Sequence, residues 1–149
     1  MPVEENVEER WLRIGEPSGV TITIGGGNDP FNDGLDFVDF PVSIVGEGLE
    51  AKTWVRSAER SSQGRTLAEF FEGLAEDWKG EKGEPAWEAI EHDMGISVER
   101  DSFGHVLLAF ELRQSYRRNA WSVRVVVKVE PGEEMSQVAA GVRRLLTVA

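Results

Sequence analysis

Two histidines, His92 and His105, with Asp93 beside the first, are the residues best suited to acid–base or metal chemistry. A metal site draws on three or four convergent ligands, and neither an HxxxH nor an HxH spacing occurs. No metal is therefore expected. His105 follows a turn and opens a strand, where a polar cap or a cross-strand hydrogen bond is the ordinary role, and His92 is expected to face solvent. The stretch "EKGEPAWEAIEHD" holds enough carboxylates to pair as acid and base in glycoside hydrolysis, but carboxylates this dense read more simply as a solvated face. A serine nucleophile would want a GxSxG elbow, and none is present. "RSSQGR", residues 60–65, could attract an anion, but a loop leading into a helix cap accounts for it.

"IGGGNDPFNDG", Ile24 to Gly34, is the remaining candidate for ligand chemistry. A phosphate cradle would need Gly-Lys-Ser or Gly-Lys-Thr opening a helix, or glycines at dinucleotide spacing, whereas Pro30 and extended sequence follow. Aligned on Gly34 as a calcium loop, it offers Asp29 and Asp33 at the first and fifth positions. Phe31 and Phe40 then occupy the third and twelfth, where oxygen ligands are required. The stretch is expected to be a turn between strands. No catalytic residue and no cofactor is assigned, and the chain is not expected to be an enzyme.

Charge narrows the partners. The formal net charge is -11, and residues 1–50 carry eleven acids against Arg10 and Arg13. Residues 101–149 carry five acids and seven bases, so the acidity is concentrated at the front. An acidic front disfavours nucleic-acid phosphate and favours a basic partner. The basic run "RQSYRR", Arg113 to Arg118, is RNA-binding in miniature but stands against that balance. There is no cysteine, so disulfides and thiolate metal sites are excluded, and stability must come from packing. The opening "MPVEENVEER" lacks the basic and apolar start of a signal peptide, and no apolar run reaches membrane-spanning length. A cytoplasmic protein with no membrane partner is expected.

The elements that must position any site follow from periodicity. "SGVTITI" alternates as a half-buried strand, and "RWLRI" can pair with it across Gly15 to Gly19. "DFVDFPVSIVGEGLEAKTWVRSAE" reads as two strands reversed at Gly46-Glu47-Gly48, with Val38, Phe40, Val42 and Ile44 on one face. Pro41 cannot donate to a ladder, which predicts an edge strand or a bulge there. Thr66 and Glu69 fit a capping box, and Leu67, Phe70, Phe71, Leu74, Ala75 and Trp78 make one helical stripe. "AWEAIEHDM" is either a short helix or an irregular lead into the next strand. "ISVER", "HVLLAFELR" and "AWSVRVVVKVE" alternate as strands, with "DSFGH" a hairpin turn. The closing "EEMSQVAAGVRRLLTV" places Met135, Val138, Ala139, Val142, Leu145 and Leu146 on one side of a second helix. Trp54, Trp78, Trp87 and Trp121 are expected in the core or at its margin. At 149 residues the chain is expected to form a single domain, 1–149, with residues 1–9 a flexible acidic N-terminus. The fold expected is α+β: a mainly antiparallel twisted β-sheet with two amphipathic helices packed on one face.

The order of these motifs resembles a family of small actinobacterial proteins of unknown function and, more distantly, the WapI-type immunity proteins that protect a bacterium from a polymorphic toxin. The resemblance spans roughly residues 36 to 148. It rests on Phe70, Phe71, Leu74 and Trp78 with Gly80, on Trp87 with Glu88, on Gly104-His105-Val106, and on the helix end at Leu145 and Leu146. It implies a non-enzymatic binding protein, an immunity-type inhibitor with a basic protein toxin as partner. The candidate partner-binding residues are Asp29, Asp33, Asp36, Asp39, Glu47 and Glu50. The alternatives are a self-associating structural or assembly subunit, a homodimer formed through an edge strand, and, ranked below it, a small hydrolase-type enzyme using the carboxylates or His105.

Overall fold

The computed structural model describes residues 3–31, 37–58, 65–114 and 119–147. Its first half is a meander of antiparallel strands, β1 (Val3–Asn6), β2 (Trp11–Ile14), β3 (Thr21–Gly25), β4 (Val38–Gly46) and β5 (Leu49–Ser57), lying side by side in chain order. Short links force this arrangement, because a two-residue reversal such as Glu47-Gly48 joins only antiparallel neighbours. β1 differs from the flexible terminus expected for residues 1–9. Its four residues pair with β2, and Glu5 accepts from Arg144 Nε at 2.9 Å, so a distant cation fixes a segment that has little apolar content of its own.

Pro41 lies in the middle of the sheet, since β4 pairs with both β3 and β5. The edge expectation is thus overturned and the bulge is found. The β3–β4 ladder runs to Ile24 opposite Val42, and the chain next pairs at Asn28 opposite Asp39, one residue out of register. That extra residue lets Pro41 forgo a ladder bond. It also sends the Gly27 N–H to the carbonyl of Leu145 at 2.8 Å. A β-carbon at Gly27 would lie 2.4 Å from Val38 Cγ1, so only glycine lets the strand approach this closely. Within the stretch, Ile24 and Gly25 end β3 and Gly27 is a packing joint, while residues 32–34 lie outside the described residues.

The second half begins with helix α1 (Leu67–Glu76), whose capping box is present: Glu69 N–H donates to Thr66 Oγ1 at 3.0 Å and Thr66 N–H to Glu69 Oε1 at 3.3 Å. A second antiparallel meander follows, β6 (Ala86–Glu88), β7 (Met94–Arg100), β8 (Val106–Arg113) and β9 (Ser122–Val129), and helix α2 (Glu133–Leu146) closes the chain. "AWEAIEHDM" is therefore the β6 strand and a turn. The strands form two sheets, of five and four strands, because α1 interrupts the run of hairpins. The architecture is α+β.

One hydrophobic core joins both sheets and both helices. Phe40, Phe70, Phe71 and Phe110 are fully buried in it, as are the α2 residues Met135, Val138 and Val142. The helices pack on each other, α2 also on β1 and β2, and α1 also on β6. Arg143 Nε reaches Glu72 Oε2 at 2.9 Å and ties α2 to α1. Trp87 is buried, with its indole N–H donating to the Arg65 carbonyl, and Trp121 packs at the margin. Trp54 and Trp78 do not join them and are 57% and 56% exposed. Trp54 shares strand parity with Glu50 and Lys52, and Trp78 lies beyond the end of α1. No helix among the described residues is long and apolar enough to cross a membrane.

Candidate functional site

The β4–β5 hairpin decides which of the expected acids meet. Its register places Asp39 opposite Arg56, with Glu47 at the turn and Glu50 just beyond it. Eight residues of strand separate Asp39 from Glu47, roughly 27 Å at the usual rise. The six acids are therefore not one patch. Asn28 pairs with Asp39 and so brings Asp29 to the Asp39 end, whereas Glu50 pairs with Lys52 at 3.2 Å at the other. Asp33 and Asp36 lie outside the described residues, as do residues 60–64 of "RSSQGR" and 115–118 of "RQSYRR".

A constellation forms around Arg56. Its guanidinium grips Asp39 through two parallel bonds, Nε to Oδ1 at 2.8 Å and Nη2 to Oδ2 at 3.1 Å. It also stacks over Phe31 at 4.9 Å and Phe37 at 5.7 Å from the ring centroids. The two rings meet edge to face at 6.2 Å. The hydrogen bond to Asp39 holds the Arg56 pKa above its ordinary value, against burial, with Glu91 and Asp93 adding to it. Phe31 remains 56% exposed. The Phe31 ring thus stands half in solvent beside an arginine already paired with Asp39.

Asp93 belongs to this end through the loop between β6 and β7. The half-buried carboxyl lies close enough to Arg56 to add to the rise of the guanidinium pKa, and its Oδ1 is buried without a hydrogen-bond partner among the described residues. Burial pushes its pKa up, and repulsion from Glu91 and Asp39 adds to the rise, while the backbone bonds oppose it. A carboxyl whose folded pKa is raised lends stability below its ordinary pKa, and that stability is lost as pH rises through the folded value. Asp93→Asn cannot ionise and keeps the size and shape of the half-buried side chain. It is expected to be more stable than the parent at neutral pH, by a margin that closes as pH falls to the ordinary carboxylate range. Thermal melts of both proteins across pH check this, and a margin independent of pH would contradict it.

The histidines occupy opposite ends of the β7–β8 hairpin. His105 lies between Asp101 Oδ2 at 2.7 Å and Glu130 Oε1 at 3.1 Å, while Asp101 Oδ1 accepts from the Phe103 and His105 N–H groups. This is the turn cap expected from the sequence. Against the opposing pull of desolvation, these bonds hold the Asp101 carboxyl below its usual range. His92 approaches Glu88 at 3.3 Å, and Glu88 also receives Arg113 at 2.6 Å. Among the described residues, no group of three or more metal-ligating side chains converges.

Sequence reading missed Phe31, Phe37, Arg56, Glu91 and Asp93 as a group. The turn at Glu47-Gly48 did contain the signal for one contact, since counting back from it sets Arg56 against Asp39. The contribution of the β6–β7 loop is non-local and has no such signal.

A model of a family of unknown function, DUF6228, matches residues 20–149. No curated protein and no solved structure matches the chain. The match starts earlier than the resemblance at residue 36 and takes in β3, while β1 and β2 fall outside it. It carries no link to actinobacteria or to WapI-type immunity proteins. The chain belongs to the DUF6228 family, whose function is unknown.

Proposed function

We propose that this chain is a non-enzymatic protein-binding domain that docks a basic protein surface at the Arg56 end of the β4–β5 hairpin. The observation that carries the reading is the half-exposed Phe31 ring stacked on Arg56, with Asp39, Glu91 and Asp93 around that one cation. An exposed aromatic supplies apolar area at low entropic cost, and the surplus of carboxylates steers and selects a cationic partner. An immunity-type inhibitor that occludes a basic toxin is the finer form of this proposal. It draws on the resemblance carried by the α1 aromatics, Gly104-His105-Val106 and the closing helix, and on the acidic front of the chain.

Phe31→Ala tests the anchor. The side chain is mostly in solvent, so stability is expected to change by less than about 0.5 kcal/mol, while affinity for the basic partner falls about tenfold. Titration of the partner co-purifying with the tagged parent, repeated with the variant, reads both. Equal affinities would remove Phe31 from the interface and the reading with it.

A further inference from the structure

We propose that the free half of β9, Ser122–Val126, accepts an extended segment of a partner protein as an additional strand, with an acidic residue of that segment opposite Arg124. The inference concerns a surface other than the Arg56 end and stands independently of it.

The sheet edges are unequal. β1 has four residues and β6 three, too short to template a strand on their own. β5 has nine, but the β6–β7 loop brings Asp93 against its Arg56 end. β9 has eight residues, SVRVVVKV, dominated by the β-branched side chains that suit strands. It pairs with β8 on one side, and alternate residues must direct their N–H and C=O groups away from that ladder. Among the described residues, no other backbone hydrogen bond reaches Ser122–Val126.

Among the described residues, nothing pairs with the outer edge of the first half of β9. At the far half the turn through Gly15 closes on Val127, leaving a groove of about 390 Å³ whose walls include Val20, Lys128 and Glu130. In the open half the exposure alternates, with Ser122, Arg124 and Val126 exposed and Val123 and Val125 only partly covered. Val126 is 46% exposed. An added strand would bury apolar surface on both faces as well as pairing the backbone.

Charge selects the occupant. A second copy, paired antiparallel over the open five residues with inner face kept to inner face, would set Arg124 directly opposite its own counterpart. Like charges in that position are destabilising. The same cation attracts a carboxylate: Glu111, its neighbour across the β8–β9 ladder, is held by Arg113 Nε at 2.7 Å, and no ion pair within 4 Å among the described residues reaches Arg124. Glu16, Glu130 and Glu134 gather at the closed end with Lys128, which confines the attraction to Arg124. The acids of the front half are screened beyond about 8 Å at physiological salt. The segment that fits therefore carries an acid opposite Arg124 and an apolar residue two positions away, opposite Val126.

Two blocked peptides, Thr-Thr-Ile-Val-Glu-Val-Thr and the same sequence with Lys for Glu, test this on the isotope-labelled full chain by amide NMR. The Glu peptide is expected to shift and protect the Ser122–Val126 amides and to bind about fivefold more tightly than the Lys peptide. Arg124→Glu, at an exposed position, should invert that preference, and Arg124→Gln should abolish it. Equal binding of both peptides that the variants leave unchanged would overturn the proposal, as would shifts confined to other strands. A dimer by sedimentation, with Ser122–Val126 amides protected before any peptide is added, would overturn it in favour of a second copy.

Discussion

Phe70→Ala is expected to lower unfolding stability by about 4 kcal/mol, the largest single effect of any substitution considered for this chain. Phe70 is fully buried and meets Phe71 edge to face at 5.3 Å. Truncation removes its transfer free energy, leaves a cavity that a helix pinned by its capping box cannot collapse into, and forfeits the aromatic pair. Since a domain of this size typically holds ~5–15 kcal/mol in total, little would remain. Urea unfolding should show the midpoint falling by about 2 M for an m-value of about 2 kcal/mol/M. A fall of less than about 0.5 M would mean that α1 contributes little to the core.

Arg56→Leu is the second large effect, and it links stability to the proposed site. The substitution removes two charge-assisted bonds to Asp39 and two ring contacts, and it leaves Asp39, Glu91 and Asp93 without their central cation. Charge-assisted hydrogen bonds are worth about 2 kcal/mol, and partial exposure keeps the expected loss near that value at neutral pH. The sign with pH follows from the charges. Crowded carboxylates lacking a cation bind protons more readily in the folded state than in the unfolded one, so part of the loss should return as pH falls through the carboxylate range. Chemical unfolding of parent and variant at neutral and mildly acidic pH measures the difference. A loss that stays constant with pH would show that Arg56 acts through packing alone.

How much of this was legible in the sequence depended on whether the cause was local. Thr66 and Glu69 announce the start of α1 because the capping box is a contact between residues three apart. Met135, Val138, Val142 and Leu145 reveal the buried side of α2 because its period is fixed by the backbone. Pro41 was legible as a bulge, but its mid-sheet position was not, because the compensating glycines on β3 are far away in sequence. Trp54 was misread by residue type although its strand parity pointed outward. β1 was missed because Val3-Glu4-Glu5-Asn6 has one apolar residue, and Arg144 on α2 supplies what the strand lacks. The site followed the same rule: the acids were visible, but their separation along the hairpin depended on register, and the Asp93 loop depended on tertiary packing.

The two ends of the β4–β5 hairpin now make opposite predictions, and one comparison separates them. Tagged parent, Glu91→Lys and the double variant Glu47→Lys/Glu50→Lys would be used side by side to capture partners from native cells at low and moderate salt. All three substituted residues are exposed, so the fold should persist. The parent and the double variant are expected to retain the same basic protein at low salt and release it as salt rises, while Glu91→Lys fails to retain it. Retention by Glu91→Lys with loss in the double variant would place the interface at the turn and contradict the Arg56 end as the docking site.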